Sequence, residues 1–241
     1  MAEPPPAQRA DASGAVDVWS ILLPREPPRT ASLSADERAR AGRFVRELHR
    51  ARFIGCRHAM RCILASYRGC QPGDLEIVSD AANGKPSLAA GDGLEFNLAH
   101  CDDRALLAVA SQPVGVDLEL TERRIDPQTV AARFFSPRER DMVEGASDQA
   151  GARRAFLRIW AAKEATLKLI GIGLRADLAA FDAGDAAAAD SLQVVVPGLH
   201  AEPVHLTALP HPAGHAFLAT FAPPGDVALR EWPPDQPSGG D

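Results

Sequence analysis

The stretch Ser111-Gln-Pro-Val-Gly-Val-Asp-Leu-Glu-Leu120 decides how the rest of the chain is read. Gln112-Pro113 is a short break, because proline brings no amide hydrogen to a sheet and fixes its own torsion. Val114 to Leu120 then alternates apolar and acidic residues with the period of a strand. Asp117 and Glu119 leave one face of that strand, while Val116 and Leu118 face the core on the other. A second strand-like run, Leu106 to Ala110, stands just before the break, so the chain divides near Gln112.

Toward the N-terminus, Leu94 to Leu98 and Leu75 to Val78 are further strand-like runs, set apart by Asn-Gly and Gly-Asp-Gly turn signals. Ser34 to about Tyr67 reads as one long amphipathic helix, with Ser34 as N-cap and Glu37 at the capping-box position. Its apolar stripe runs Val45, Leu48, Cys56, Ala59, Ile63. Arg52 falls in that stripe and therefore needs a partner that is negative or rich in acceptors. Arg43, Arg46, Arg50, Arg57 and Arg61 share a separate stripe, which reads as a solvated face. Before all of this comes a short apolar run at Val16 to Leu23.

Toward the C-terminus, helical patterns occur at Ser136 to Glu144, with Ser136 as cap and Pro137 at the first position, and at Arg153 to Ile170. The latter ends at Gly171-Ile-Gly173, a C-cap followed by a turn. Strands close the chain at Leu192 to Val196, Val204 to Leu209 and His215 to Phe221. Helices set among short strands give an α+β fold, with halves at residues 15–112 and 113–222. Residues 1–14 and 223–241, rich in proline, glycine and acids, read as loose tails.

Composition bounds the partners. The 241 residues are 46% hydrophobic and 24% charged, with no apolar run of membrane-spanning length and no basic-then-apolar leader after Met1. These features predict a cytoplasmic protein with no membrane contact. Cys56, Cys62, Cys70 and Cys101 form no C-x-x-C pair, which argues for reduced thiols over disulfides or zinc. The net charge is −6, yet Ser34 to Arg68 holds nine arginines against Asp36, Glu37 and Glu47. A basic helix on an acidic protein with a single tyrosine suits a small anion and excludes nucleic acid. Lysine is scarce: Lys85, Lys163 and Lys168 stand beside 23 arginines, which suggests a local need for a compact ammonium.

The acids of Asp117-Leu-Glu119 can serve a hard divalent cation, because either repels the other once desolvated; on an ordinary half-buried strand the same pair is a solvated face. Glu164 and Lys168, four apart, share one helix face, with Lys163 near the apolar side. That pair is either a routine salt bridge or, beside the acids, a means of holding Mg²⁺ and a phosphate chain together. His100 in Phe96-Asn-Leu-Ala-His100 sits at a strand end, able to donate to a phosphate from a loop mouth.

Together Gly84-Lys-Pro86, Phe96-Asn-Leu-Ala-His100, Gln112-Pro-Val-Gly-Val-Asp117-Leu-Glu119, Arg133-Phe-Phe-Ser-Pro-Arg-Glu139 and Trp160-Ala-Ala-Lys-Glu-Ala-Thr-Leu-Lys168-Leu-Ile-Gly-Ile-Gly-Leu174 resemble the 4′-phosphopantetheinyl transferases of the surfactin-synthetase-activating type. The resemblance spans about residues 16–222 in the expected order. It implies two pseudo-symmetric halves, each a small antiparallel sheet on a long helix, with coenzyme A and Mg²⁺ in the cleft between them. It implies Asp117, Glu119 and Glu164 as metal ligands, Glu164 and Lys168 as catalytic groups, and Lys168 at the pyrophosphate. Arg40, Arg43, Arg52, Lys85, Pro86, His100 and Lys163 are implied on the coenzyme A side. The implied acceptor is an apo acyl- or peptidyl-carrier protein, the implied enzyme a monomer.

Some residues depart from the family pattern. Ala99 and Cys101 flank His100 where serines are common, and Glu37 stands where a basic residue for the 3′-phosphate is common. Ile172, Leu174, Leu178 and Phe181 resemble a carrier-contact surface and equally suit a core or lid. The same acids and lysines would also serve a Mg²⁺-dependent pyrophosphate hydrolase, and the departures would suit a non-catalytic binder of coenzyme A or a carrier.

Overall fold

The computed structural model describes residues 14–28, 32–79, 84–89, 93–172 and 176–232. The Asn-Gly turn at Asn83, Gly91-Asp92, Gly173, Leu174 and, of the expected tails, residues 1–13 and 233–241 lie outside them. The first half contributes β1 (Val16–Leu22), α1 (Ala35–Ala41), α2 (Glu47–Arg68), the short pair β2 (Ile77–Ser79) and β3 (Pro86–Leu88), β4 (Glu95–Cys101) and β5 (Arg104–Ala110). The second contributes β6 (Val114–Leu120), α3 (Pro127–Phe134), α4 (Pro137–Glu144), α5 (Gln149–Ile170), β7 (Ser191–Val196), β8 (His200–Leu209) and β9 (Gly214–Thr220). A last strand, β10 (Val227–Trp232), returns to the first half.

Two four-stranded sheets result, ordered β10-β1-β5-β4 and β6-β9-β8-β7. Alternation along each strand gives every sheet two apolar faces, and three cores follow from that. Cys56, Met60, Ile63 and Leu64 of α2 pack on Trp19, Phe96 and Leu107. Ala161, Ala162 and Ala165 of α5 pack on Phe217, Ala219 and Leu206. Between the sheets, Val18, Leu106 and Ala108 meet Val116, Leu118 and Leu218. Helix, sheet, sheet and helix therefore stack in an α+β architecture. Both long helices stop at a left-handed glycine, Gly69 (φ 63°) and Gly171 (φ 82°), where a side chain would be strained. No helix among the described residues is long and apolar enough to cross a membrane.

Two expectations about the first half are corrected. The single helix from Ser34 to Tyr67 is two helices: the Ser34–Glu37 capping box is present, but α1 stops at Gly42 and α2 starts at Glu47. Glycine weakens the helix by roughly 1 kcal/mol there, and an ion pair requires the break. Glu37 accepts from Arg57 Nε (2.8 Å) and Arg61 Nε (2.6 Å). On a continuous helix, residues 24 positions apart would stand about 36 Å from each other. The break leaves Val45 97% exposed and Leu48 at the surface, so the apolar stripe begins only at Cys56. It also buries Arg61, which was expected on a solvated face and instead donates to Glu37 and to the carbonyls of Pro72 and Leu75.

The second correction is at the C-terminus. Val227–Trp232, assigned to a loose tail, pairs in parallel with β1, Val16 opposite Val227 and Ile21 opposite Trp232, so this sheet is mixed. Asp17 is buried and needs partners. Arg230 Nε donates to its Oδ1 (2.9 Å) and the Tyr67 hydroxyl to its Oδ2, while Trp19 Nε1 donates to Tyr67 (3.0 Å).

In the second half the caps act as expected at Ser136, whose side chain takes the Glu139 amide. Helix α5 starts four residues before the expected Arg153, because Asp148 caps it through the Gly151 amide (2.7 Å). Helix α3 was not anticipated, although Asp126 caps it and Pro127 opens it. Leu178 and Phe181 are buried against α5, which makes them core and not carrier-facing surface.

Candidate active site

The site begins with a close approach of strand to helix. On the α5 side of β6, a Cβ at Gly115 would stand 2.2 Å from the Ala165 carbonyl oxygen and 2.6 Å from the Leu169 amide nitrogen. Only glycine fits between those backbones. Across the sheet Gly214 is equally close, its Cβ position 2.2 Å from the Glu119 carbonyl oxygen. Asp117 and Glu119 follow Gly115 on the same face and are held at 7% and 5% exposure. They are not a solvated face.

Helix α5 answers with Glu164 and Lys168, one turn apart. Lys168 Nζ donates to Asp117 Oδ1 (2.7 Å) and to the Val116 carbonyl (3.2 Å). Burial pushes the Glu164 carboxyl up to about 7, with the Asp117 charge adding to the rise and Lys168 opposing it. Glu119 is raised by burial and then by Asp117, and Arg123 works against both. The three carboxylates therefore feel one another as like charges in a shared, poorly solvated place.

The first half closes the other side. Asn97 of β4 crosses to β6, its Oδ1 accepting the Val116 amide (2.9 Å), so side chains from both halves hold the backbone of one residue, Asn97 at its N–H and Lys168 at its carbonyl. Cys101 lies 3.9 Å from Glu119 Oε2. Lys85 Nζ reaches the Leu169 carbonyl in the last turn of α5 (3.3 Å). Arg123, on the turn after β6, donates through Nη1 to both oxygens of Glu119. That turn is itself held by Arg153 of α5, which donates to the carbonyls of Thr121 (2.7 Å) and Arg123.

Do these residues fit a hard divalent cation? All three acids offer oxygen, the donor that Mg²⁺ takes. Two buried oxygens, Asp117 Oδ2 and Glu164 Oε1, have no hydrogen-bond partner among the described residues, an arrangement costly unless a cation or water answers it. As the side chains stand, no three His, Cys, Asp or Glu among the described residues are gathered for a metal. Lys168 turns Asp117 Oδ1 toward itself and Arg123 turns Glu119. The donor set fits, with Glu119 engaged elsewhere.

Comparison with known proteins identifies the family. The sequence pattern of the 4′-phosphopantetheinyl transferase superfamily matches residues 113–220, the span from β6 to β9. The 4′-phosphopantetheinyl transferase HetI of Nostoc sp. is 38% identical over 179 residues, which are 71% of this chain and 75% of HetI. The chain belongs to the 4′-phosphopantetheinyl transferase family. A 4′-phosphopantetheinyl transferase of Bacillus subtilis is 30% identical over 154 residues, 63% of this chain and 66% of that protein. The fatty acid synthase subunit alpha of Candida parapsilosis is 34% identical over 91 residues, 36% of this chain and 5% of the subunit. The protein is accordingly a transferase of phosphopantetheinyl groups.

Within this transferase the other expected site residues are dispersed. Lys163 is corrected: it is wholly buried on the far side of α5, donating to both Glu139 oxygens (2.6 and 2.8 Å) and to the Phe181 carbonyl (2.6 Å). Adjacent helix residues point about 100° apart, so Lys163 cannot share the face of Glu164. It ties α4 to α5. Arg40 and Arg43 line an open cavity with Phe44, and Arg40 also lies 5.3 Å over the Phe53 ring. Arg52 finds the negative partner that its position requires, Asp102 in the β4–β5 turn. His100 is exposed on β4 itself, not in a loop, and Pro86 opens β3. Glu37 is buried between arginines, so its departure from the family pattern serves the fold. Gly115, Asn97 and Arg123 were not singled out from sequence. A glycine opening an acid-bearing strand was the available signal for the first, and nothing local marked the other two.

Proposed function

We propose that this transferase moves the phosphopantetheine group of coenzyme A to a serine hydroxyl of an apo acyl- or peptidyl-carrier protein, releasing 3′,5′-ADP, with Mg²⁺ as its ion. The observation that carries the reading is the pair of buried carboxylate oxygens, Asp117 Oδ2 and Glu164 Oε1, that lack partners among the described residues beside the Lys168 ammonium. Asp117, Glu119 and Glu164 would hold Mg²⁺, which supplies charge neutralisation for a pyrophosphate.

The chain's own groups do the rest. Glu164, one helical turn from Lys168 and facing the acids of β6, is proposed to take the serine proton. The serine oxygen then bonds to the phosphorus that carries pantetheine, the bond from that phosphorus to the bridging oxygen breaks, and 3′,5′-ADP leaves with the electron pair. Lys168, fixed by two hydrogen bonds, stabilises the charge gathering on the leaving phosphate. Arg40, Arg43, Arg52, Lys85, Pro86 and His100 are proposed on the nucleotide side, supported by the cavity that Arg40 and Arg43 share. The similarity to a fatty acid synthase subunit supports a carrier of acyl chains as acceptor. With both sides of the site in one chain, we take the enzyme as a cytoplasmic monomer that engages neither nucleic acid nor membrane.

The test is to incubate the protein with coenzyme A, Mg²⁺ and an apo carrier protein and weigh the carrier. One added phosphopantetheine together with free 3′,5′-ADP is expected. Hydrolysed coenzyme A beside an unmodified carrier would mean a hydrolase, and no turnover would mean a binder; either overturns the proposal.

A further inference from the structure

The three acids are unequally ready for a cation. Among the described residues Asp117 Oδ2 and Glu164 Oε1 are buried without a partner, whereas both oxygens of Glu119 are taken by one guanidinium nitrogen, Arg123 Nη1. Nor is Arg123 placed there by chance of a floppy side chain. Its turn is closed by the Arg123 amide on the Leu120 carbonyl (3.0 Å) and pinned by Arg153 from α5 at the carbonyls of Thr121 and Arg123. The strand beneath cannot slide, because Gly115 and Gly214 are in backbone contact on its two sides. A fixed turn thus aims a permanent positive charge back at the strand's last acid.

We propose that Arg123 is a built-in competitor for the cation: it holds Glu119 while the metal is absent, so that Glu119 becomes a ligand only when Arg123 swings away. This rests on the reading of Asp117, Glu119 and Glu164 as a metal site. Geometry permits the exchange. The Arg123 side chain is 40% exposed, so it can release into solvent, while the Glu119 side chain is 6% exposed and stays. A guanidinium also differs from an ammonium here, since it keeps its charge at every working pH and cannot be relieved by losing a proton.

The consequence runs against the usual effect of deleting a site residue. If Glu119 is competent only in the fraction of molecules where Arg123 is away, the apparent dissociation constant of the metal is raised by that fraction. An ion pair with one buried and one part-exposed partner lies near the upper end of surface pairs, which corresponds to about fivefold in affinity. Removing Arg123 should therefore tighten metal binding about fivefold.

Calorimetric titration of the substrate-free protein with Mn²⁺ alone, in mild alkali where the acids are ionised, tests this. Arg123→Gln should bind about fivefold tighter than wild type, and the gain should vanish when Glu119→Gln is added to both. Equal or weaker binding by Arg123→Gln, or a gain that survives Glu119→Gln, overturns the inference and leaves the metal site standing. If Arg123→Gln does not fold, Arg123→Met replaces it: it keeps the apolar stem and removes the charge that holds both Glu119 oxygens, so it too should bind tighter, and unchanged binding again overturns the proposal. Absence of saturable Mn²⁺ binding by wild type would overturn the metal reading itself, and the inference with it.

Discussion

Replacing Glu164 with glutamine should make the metal-free protein more stable in mild alkali. The Glu164 carboxyl is raised from 4.5 to about 7, first by burial and then by Asp117. A carboxyl raised on folding binds a proton in the folded state that the unfolded chain has already lost. Its neutral form therefore favours the fold at low pH, and stability falls as pH rises from about 4.5 to about 7, then stays level. The full shift corresponds to about 3 kcal/mol at about pH 8 and to under about 1 kcal/mol at about pH 5. Glutamine keeps the shape and never ionises, so urea unfolding in excess chelator should find Glu164→Gln ahead of wild type by up to about 3 kcal/mol at about pH 8. The gap should close toward about pH 5, where wild-type Glu164 is largely neutral. Glu119 is raised in both proteins by the same burial, so its share largely cancels. A variant less stable than wild type at the higher pH, or a difference that does not change with pH, would refute the reasoning.

Lys163→Met strands the buried Glu139 and should cost about 3–5 kcal/mol in denaturant unfolding, with part regained when Glu139 is made Gln as well. Gly115→Ala forces a methyl into backbone atoms at 2.2 and 2.6 Å; a loss of about 3 kcal/mol and of most transfer activity is expected, measured by unfolding and by carrier mass. Asn97→Leu removes the acceptor of the Val116 amide, so stability should fall by about 1–3 kcal/mol. Hydrogen exchange at that amide should quicken in the same variant, while amides of α2 keep their protection.

Much of this was legible in the letters, and for local reasons. Ser34 and Ser136 announce helix starts because a capping hydroxyl must precede a turn of free amides. Asp117 and Glu119 share a face because strand side chains alternate, and Glu164 and Lys168 share one because a helix repeats in four. What escaped was non-local. The break at Gly42 to Arg46 depends on Glu37 reaching Arg61 across space, and periodicity sees only neighbours. Strand β10 was hidden by prolines on both sides of Val227–Trp232, and its partner lies at the other end of the chain. Lys163 was misplaced because scarcity of lysine speaks of need, not direction; its need is Glu139. Lys168 alone of the three lysines meets the acids, while Lys85 reaches the end of the same helix.

The central claim is that a divalent cation at Asp117, Glu119 and Glu164 holds the pyrophosphate of coenzyme A. Phosphorus NMR of coenzyme A bound to the protein, titrated with paramagnetic Mn²⁺, tests it most directly. The pyrophosphate resonances should broaden sharply and the 3′-phosphate less, and Asp117→Asn should abolish the effect. Bound coenzyme A whose pyrophosphate signals ignore Mn²⁺, or broaden equally in Asp117→Asn, would contradict it.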